Sequence, residues 1–151
     1  MELTSMAFIN GSMIPSLYTC KGRNISPPLQ WIDPPPGTKS FALIVEDPDA
    51  PSGLFVHWIV WDIPADQRSL KENKIGFSGT GGIQQGENDF GNTGYGGPCP
   101  PSGIHRYFFR LYALDTTFGD LGLSTTKQNL LSAMSGHVLA EAELMGLYKK
   151  Q

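Results

Sequence analysis

The sequence predicts a mainly β protein, and three observations favour that class. The 151 residues include 18 Gly and 12 Pro, which disfavours a bundle of long helices and suits a turn-rich fold. Short apolar runs rich in β-branched and aromatic residues are bounded by turn residues, as expected of strands. Only one segment, near the C-terminus, has the apolar stripe of a helix. Without an internal repeat or a linker, the prediction is a single domain over residues 1–151.

Four strands are predicted in the first half of the chain, at residues 2–8, 29–32, 41–46 and 55–63. The turn pair Asn10-Gly11 ends the first strand. Three consecutive prolines at 34–36 end the second, because a central strand cannot run through residues that lack backbone donors. The third run is apolar without alternation, which predicts a strand covered on both faces.

A further strand is predicted at residues 106–114, where alternate residues share a face. Its two faces carry Tyr107, Phe109, Leu111 and Ala113 on one side, and Arg106, Phe108, Arg110 and Tyr112 on the other. A helix follows, capped by Ser124, Thr125 or Thr126, with Leu130, Leu131 and Met134 as its apolar stripe. Gly136 is suited to close that helix.

The C-terminal segment fits either a strand or a helix. As a strand it places Val138, Ala140, Ala142 and Leu144 on one face. As a helix it is rich in good helix formers. We favour the strand, because Glu141 and Glu143 then leave the core together.

Charge and hydropathy exclude several functional classes. A net charge of −3 with 11 Lys and Arg disfavours nucleic-acid binding as the main task, since too few cations are available to neutralise phosphates. No stretch approaches the roughly 20 apolar residues of a membrane span, and no leader pattern opens the chain. We therefore expect a cytoplasmic protein. Two cysteines, Cys20 and Cys99, either pair or stay free.

Residues 47–58 carry the first candidate site. Asp47 and Asp49 follow one apolar run, and His57 lies near the start of the next. Polar groups at the rim of an apolar strand pair are typical of binding sites. A second histidine, His105, enters the strand predicted at 106–114. We predict that the two histidine segments meet at one pocket.

A Gly-rich stretch, residues 76–103, separates these segments. It contains no Lys or Arg, so it would bind an anion only through backbone N–H groups such as those near Gly96 and Gly97. A flexible surface loop is the simpler interpretation of its composition. The proline-rich end at 96–101 is stiff, however, and leads directly to His105. The same loop favours an alternative function, an inhibitor that contacts a protease or kinase through surface loops.

Several kinds of chemistry find weaker support. Asp47, Asp49, His57 and His105 are types that ligate metals, but no paired-ligand motif is present, so we predict no metal. A catalytic Cys99 near His105 is conceivable, although prolines on both sides favour a packing role. Residues 76–79 fall one glycine short of a nucleophile elbow. Two aspartates could act as a glycosidase pair, but Asp-Pro-Asp is commonly a turn.

Anion binding fits the residue types best. His57, His105 and Tyr107 are potential donors to an oxyanion, and Asp47 would orient an imidazole. For any single histidine, a buried imidazole satisfied by a neighbour is the simpler interpretation. His137, in the tail, keeps that interpretation.

The same motifs resemble the phosphatidylethanolamine-binding protein family, in its bacterial and archaeal branch of Raf-kinase-inhibitor-like proteins. The similarity spans essentially the whole chain. The segments that carry it are Asn24-Ile25-Ser26-Pro27-Pro28-Leu29, Asp47-Pro48-Asp49-Ala50-Pro51, His57-Trp58, Gly97-Pro98-Cys99-Pro100-Pro101, Gly103-Ile104-His105-Arg106-Tyr107 and residues 136–144.

This resemblance implies a central antiparallel sheet packed on a smaller sheet, with short peripheral helices. It implies a non-enzymatic protein with a surface pocket for phosphate-like or carboxylate anions, including the phosphorylethanolamine head group, and without a cofactor. The positions that match pocket residues are Asp47, His57, Gly97, Pro98, His105 and Tyr107. Arg106 matches an arginine for which we expect a structural ion pair with Asp49 or Asp47. A homodimer is expected on the same grounds.

Overall fold

Eight strands, one α-helix and a short 3-10 helix form the described part of the chain, which in this computed structural model comprises residues 1–74 and 82–150. The strands are β1 (Glu2–Thr4), β2 (Leu29–Ile32), β3 (Ser40–Asp47), β4 (Phe55–Pro64), β5 (Ser69–Leu70), β6 (Gln84–Gln85), β7 (Ile104–Leu114) and β8 (Val138–Lys149). The α-helix, α1, spans Lys127–Met134, and the 3-10 helix spans Ser16–Tyr18.

The strands form two antiparallel sheets. The larger has the order β6-β4-β3-β7-β8 and the smaller β1-β2-β5. The mainly β prediction, with a central sheet and a smaller one, is confirmed. Strand β3 occupies the middle of the larger sheet, and all its residues are buried. This explains why its sequence is apolar without alternation, since both faces are covered.

The larger sheet is covered on both faces by separate apolar clusters. One cluster joins it to the smaller sheet and contains Trp31, Phe41, Trp58 and Phe109. The other lies between the opposite face and α1, and its members include Ala42, Ile44, Ile59, Trp61, Leu130 and Met134. Alternate residues of β3 belong to different clusters. Phe41, Leu43 and Val45 pack in the cluster next to the smaller sheet, and Ala42 and Ile44 pack in the cluster next to α1. The fold is therefore layered as small sheet, large sheet and helix.

The first strand is shorter than predicted and ends at Thr4 rather than residue 8. The Ser5 hydroxyl donates to the Pro28 carbonyl at 2.6 Å and accepts from the Ala7 N–H at 3.0 Å. These side-chain bonds compete with strand pairing and turn the chain. The loss of strand after Thr4 therefore follows from a local serine turn.

The helix and the strand predicted at the C-terminus are confirmed, but Val138, expected on the core face, is 44% exposed because the register with β7 shifts beside it. Among the three candidate caps it is Thr126 whose hydroxyl accepts from the Asn129 N–H, and Gly136 follows the C-cap with φ +82°. Strand β8 buries Ala142 and Leu144 while Glu141 and Glu143 are exposed, as the strand interpretation requires. The strand continues to Lys149 and pairs along its length with β7. It thereby holds the site-bearing strand β7 between two neighbours.

Candidate functional site

One cavity, of about 250 Å³, lies where β3, β4 and β7 meet their connecting loops. Its lining residues are Asp47, Ala50, Pro51, Ser52, Phe55, His57, Phe90, Cys99, Pro100, Pro101, His105 and Tyr107. The two histidine segments do meet there, as predicted from the sequence. Asp47, His57, His105 and Tyr107 line the cavity, whereas Gly97 and Pro98 are not among its lining residues.

A β-bulge turns His57 toward this cavity. Val45 pairs with Trp58 and Glu46 pairs with Val56, so His57 is the extra residue between two ladder positions. A bulge reverses the alternation of side chains along a strand. Val56 accordingly packs with the helix-side cluster, while His57 joins the face that carries Tyr107. Without the bulge, the histidine would point to the opposite side of the sheet.

The His57 imidazole is fixed by one backbone carbonyl. Its Nδ1 lies 2.6 Å from the Gly96 carbonyl oxygen, and the Gly96 N–H donates back to the His57 carbonyl at 2.9 Å. Because a carbonyl only accepts, Nδ1 carries the hydrogen and Nε2 remains for another partner. Burial lowers the pKa of His57, against the opposing effects of the Gly96 carbonyl and the Asp47 and Asp89 carboxylates. The neutral ring therefore presents Nε2 as an acceptor.

His105 is fixed by a carboxylate in the same way. Its Nδ1 lies 2.7 Å from Asp47 Oδ2, and both side chains are buried. The other Asp47 oxygen, Oδ1, accepts the Asp49 N–H at 2.7 Å. Both oxygens of this carboxylate are therefore satisfied within the protein, and His105 Nε2 is again the ring nitrogen without a hydrogen bond to any described residue.

Tyr107 completes the polar lining. The Cys99 backbone lies close to the phenolic oxygen and favours its charged form, and the hydroxyl hydrogen can be donated to an acceptor in the cavity. Burial, followed by the negative charge of Asp47, raises the pKa of Tyr107. The phenol therefore stays protonated at neutral pH and can act as a donor.

Arg106 points away from the cavity and pairs with Asp49, one of the two partners expected. Its Nε and Nη2 donate to Asp49 Oδ2 and Oδ1 at 2.9 and 2.8 Å, and its backbone N–H donates to Oδ2 at 2.9 Å. The hydrogen bonds from Arg106 lower the pKa of Asp49 to about 2. This bidentate pair ties the turn after β3 to the start of β7. It thus positions Asp47 and His105 without contributing to the cavity lining.

Gly97 has a structural role in place of the expected donor role. Its N–H donates to Asn24 Oδ1 at 2.8 Å, just as the Gly96 N–H is used by His57. A Cβ at Gly97 would lie 2.3 Å from the Tyr18 carbonyl oxygen and 2.5 Å from Asn24 Oδ1. Only glycine fits so close an approach of two chain segments. The backbone donors predicted at Gly96 and Gly97 are therefore used inside the protein.

Aromatic residues form the rim of the cavity, and sequence reasoning missed them. Phe55 and Phe90 lie edge to face, with ring centroids 4.7 Å apart, and each ring also contacts His57. Phe90 is 45% exposed. Its loop is held against β4 by Asp89, whose backbone N–H donates to the Val56 carbonyl and whose carboxylate accepts the Val56 N–H. An exposed aromatic inside a polar, Gly-rich stretch was the available signal.

Cys20 and Cys99 form a disulfide, which settles the open question about their pairing. The bridge joins the loop after the 3-10 helix to the cavity wall, across 79 residues of sequence. A half-cystine has no thiolate to attack a substrate, so the interpretation of Cys99 as a nucleophile does not fit this state.

The described residues contain no group of three or more His, Cys, Asp or Glu side chains arranged to hold a metal ion. The near-match to a nucleophile elbow at 76–79 lies outside the described residues. Across residues 1–74 and 82–150, no helix has both the length and the hydropathy needed to cross a membrane.

Comparisons with known proteins agree with this fold. The UPF0098 protein of Methanothermobacter thermautotrophicus is 54% identical over 152 residues, covering 99% of both chains. The crystal structure of a phosphatidylethanolamine-binding protein homolog from Chlamydia trachomatis superposes with a TM-score of 0.91 at 46% identity, covering 99% of this chain and 97% of that one. Escherichia coli YbcL, described as a new member of the mammalian PEBP family, gives 0.90 at 35% identity over 99% and 98% of the two chains.

The family description "phosphatidylethanolamine-binding protein" matches residues 4–149, almost the full length. A match of this extent, together with the relatives, supports a role in binding. The chain belongs to the phosphatidylethanolamine-binding protein family.

Proposed function

We propose that the cavity binds a small oxyanion, and that a phosphate monoester suits it best. The observation that carries this proposal is the anchoring of both imidazoles at Nδ1, by Gly96 and by Asp47. Each Nε2 is then left for a ligand in one cavity, next to the free hydrogen of the Tyr107 hydroxyl. Three fixed polar groups that converge on an otherwise apolar cavity are characteristic of a ligand site.

The two histidines play different parts in the proposed complex. His57 is kept neutral by burial, so its Nε2 accepts a hydrogen and suits the O–H of a singly protonated phosphate. Donation from His105 Nε2 to an anionic oxygen requires the imidazolium form, in which both ring nitrogens donate. The Asp47 carboxylate, 2.7 Å from Nδ1, balances the added positive charge.

The negative charge of Asp47 would repel an anion if it faced the ligand directly. Its two oxygens are directed instead to His105 Nδ1 and the Asp49 N–H. The carboxylate therefore holds donors in place and does not compete with the ligand for them. An anionic ligand can therefore bind close to the buried Asp47 carboxylate.

The apolar rim favours an ester over bare phosphate. Phe55, Phe90, Pro51 and Pro100 flank the polar floor of the cavity. Methylene groups of an ester would bury apolar surface there, and an ammonium group would find aromatic faces. Phosphorylethanolamine has both features, and a phosphorylated side chain has the first.

Two further proposals follow from the sequence. A cytoplasmic location and a homodimer are to be checked by cell fractionation and light scattering. The inhibitor alternative depended on the loop 76–103, of which residues 76–81 lie outside the described part. Its described remainder is bonded to β4 through Asp89 and Gly96, and nothing in those contacts favours a protease or kinase target over the cavity.

Calorimetric titration tests the proposal. Inorganic phosphate and phosphorylethanolamine are titrated into the wild-type protein and into the variants His105→Ala and Tyr107→Phe. We expect saturable binding to the wild type, tighter for the ester, and weaker binding to both variants. If neither compound binds the wild type, the proposed function is wrong. If both compounds bind the variants with the same affinity as the wild type, the ligand binds at another site.

A further inference from the structure

The Cys20–Cys99 disulfide borders the proposed ligand cavity and is open to solvent. Cys99 is one of the lining residues, and both half-cystines are exposed. Neither belongs to the two apolar clusters that hold the sheets together. Buried structural disulfides are protected from thiols, whereas exposed ones are the labile or regulatory kind. Its location therefore indicates a bond that a solvent thiol can reach.

The disulfide restrains the end of the cavity wall at residues 99–101. The segment that precedes this wall, up to Pro98, is fixed without the disulfide, because the Cys20 N–H donates to the Pro98 carbonyl at 3.1 Å and the Gly97 N–H donates to Asn24 Oδ1. Beyond that point come Cys99, Pro100 and Pro101. The two prolines have no N–H to donate.

This short segment lines the same cavity as Tyr107, and the Cys99 backbone lies close to the phenolic oxygen. Reduction would release the lining residues 99–101 beside Tyr107, a proposed ligand donor. The Pro98 and Gly97 bonds would still keep the two loops together.

We propose that the Cys20–Cys99 disulfide is a redox site that controls ligand affinity, an inference that rests on the proposed anion-binding function. A dithiol reductant supplies two electrons. Its thiolate attacks Cys99 Sγ, the S–S bond breaks, and Cys20 leaves as a thiolate that takes a proton from solvent. The second thiol of the reductant then displaces Cys99, and the reductant becomes a cyclic disulfide.

The direction of attack follows from the charges near the two sulfurs. Lys21 and Arg23 follow Cys20 within three residues, and both are exposed. Positive charge stabilises a departing thiolate, so Cys20 is the better leaving group. Cys99 lies between two prolines on the cavity side, and its own sequence neighbourhood carries no cation.

The test compares phosphorylethanolamine affinity in the oxidised and reduced states of the whole protein. Native protein is treated with dithiothreitol, free thiols are counted by alkylation and mass spectrometry, and the fold is monitored by near-UV circular dichroism. We expect two thiols to appear without loss of the fold. We expect the dissociation constant to rise roughly threefold to tenfold, because the ligand must then order a freed wall. Reoxidation should restore the original value.

The double variant Cys20→Ser with Cys99→Ser is the matched control. It should bind like the reduced protein and should not respond to dithiothreitol. Three results would overturn the redox inference alone: a disulfide that resists reduction in the native protein, a reduced protein with unchanged affinity, or global unfolding on reduction. A failure of the oxidised wild type to bind phosphorylethanolamine would overturn the proposed function itself.

Discussion

The Asp47 carboxylate and the His105 imidazole are 58 residues apart in sequence and 2.7 Å apart in the fold. Strands β3 and β7 are neighbours in the sheet, and the pair joins the end of one to the start of the other. Asp47 is 3% exposed and His105 is 7% exposed. A buried carboxylate is tolerated only with hydrogen-bond donors, so this contact matters for stability as well as for the proposed ligand.

Removing the imidazole should destabilise the protein more than neutralising the acid. His105→Ala leaves Asp47 Oδ2 buried without a donor, at a cost of about 3 kcal/mol in the free energy of unfolding. Asp47→Asn keeps one acceptor oxygen for His105 Nδ1 but turns an amide NH2 toward the Asp49 N–H, so we expect a smaller loss of about 1–2 kcal/mol. Urea unfolding of both variants at neutral pH measures the difference. If both variants lose the same small amount of unfolding free energy, the Asp47–His105 contact does not act as a buried interaction.

Stability should fall as the pH drops below neutral because of His57. Burial lowers its pKa in the folded state, below the value of about 6.5 in the unfolded chain. Between the two pKa values His57 is protonated in the unfolded chain but neutral in the folded protein, so protonation favours unfolding. The stabilising contribution of His57 is therefore complete above about pH 6.5 and decreases as the pH falls toward the folded pKa.

Urea unfolding between about pH 8 and pH 5 measures this effect of His57. The variant His57→Gln should show a flatter dependence than the wild type. His137→Gln is the matched control, since His137 lies at the surface and pairs with Asp115. The explanation fails if the wild type and His57→Gln lose stability in parallel.

A methyl group at position 97 should strain the junction of two loops. In Gly97→Ala the new Cβ would meet the Tyr18 carbonyl oxygen at 2.3 Å, and backbone atoms cannot move aside as a flexible side chain can. We expect a loss of about 2–3 kcal/mol in the free energy of unfolding. Gly82→Ala is the control, because no atom of residues 1–74 or 82–150 lies within 4 Å of its added Cβ. A change at residue 97 no larger than that at residue 82 would contradict the close approach.

Loss of the Tyr107 hydroxyl should weaken ligand binding while the fold is kept. The phenol lines the cavity, and its hydroxyl hydrogen can be donated to a ligand. Tyr107→Phe removes one donor, worth about 1 kcal/mol, so the phosphate dissociation constant should rise roughly fivefold to tenfold. Tyr112→Phe, on the opposite face of β7, should bind as the wild type does. The assignment of Tyr107 as a donor is refuted if both variants bind equally well.

Sequence reasoning reached the fold and four of the lining residues because both depend on local patterns. Alternation predicted β7 and β8, and acidic or histidine residues at strand ends marked the cavity. The bulge at His57 has no such signal, since it arises from pairing between β3 and β4. Strict alternation of side chains along β4 would assign His57 to the wrong face of the sheet.

The part of the wall supplied by loops was harder to predict. Residues 97 and 98 were expected in the lining, but the lining residues are Cys99, Pro100 and Pro101. Gly97 is instead turned toward Asn24, a residue 73 positions earlier in the sequence. Phe90 reaches the cavity only because Asp89 anchors its loop to Val56. Contacts between distant loops are set by tertiary packing and leave no periodic pattern in the sequence.

The most direct test of the proposed anion site is an NMR titration of ¹⁵N-labelled histidine with inorganic phosphate and phosphorylethanolamine. The proposed site requires saturable shifts of Nε2 in both His57 and His105 at millimolar ligand, with His137 unchanged. Nδ1 of His57 should keep its hydrogen throughout, because the Gly96 carbonyl holds it. Saturable shifts at these two nitrogens are the predicted result. Unchanged Nε2 shifts in both residues would contradict the anion site, while leaving the fold and the family assignment in place.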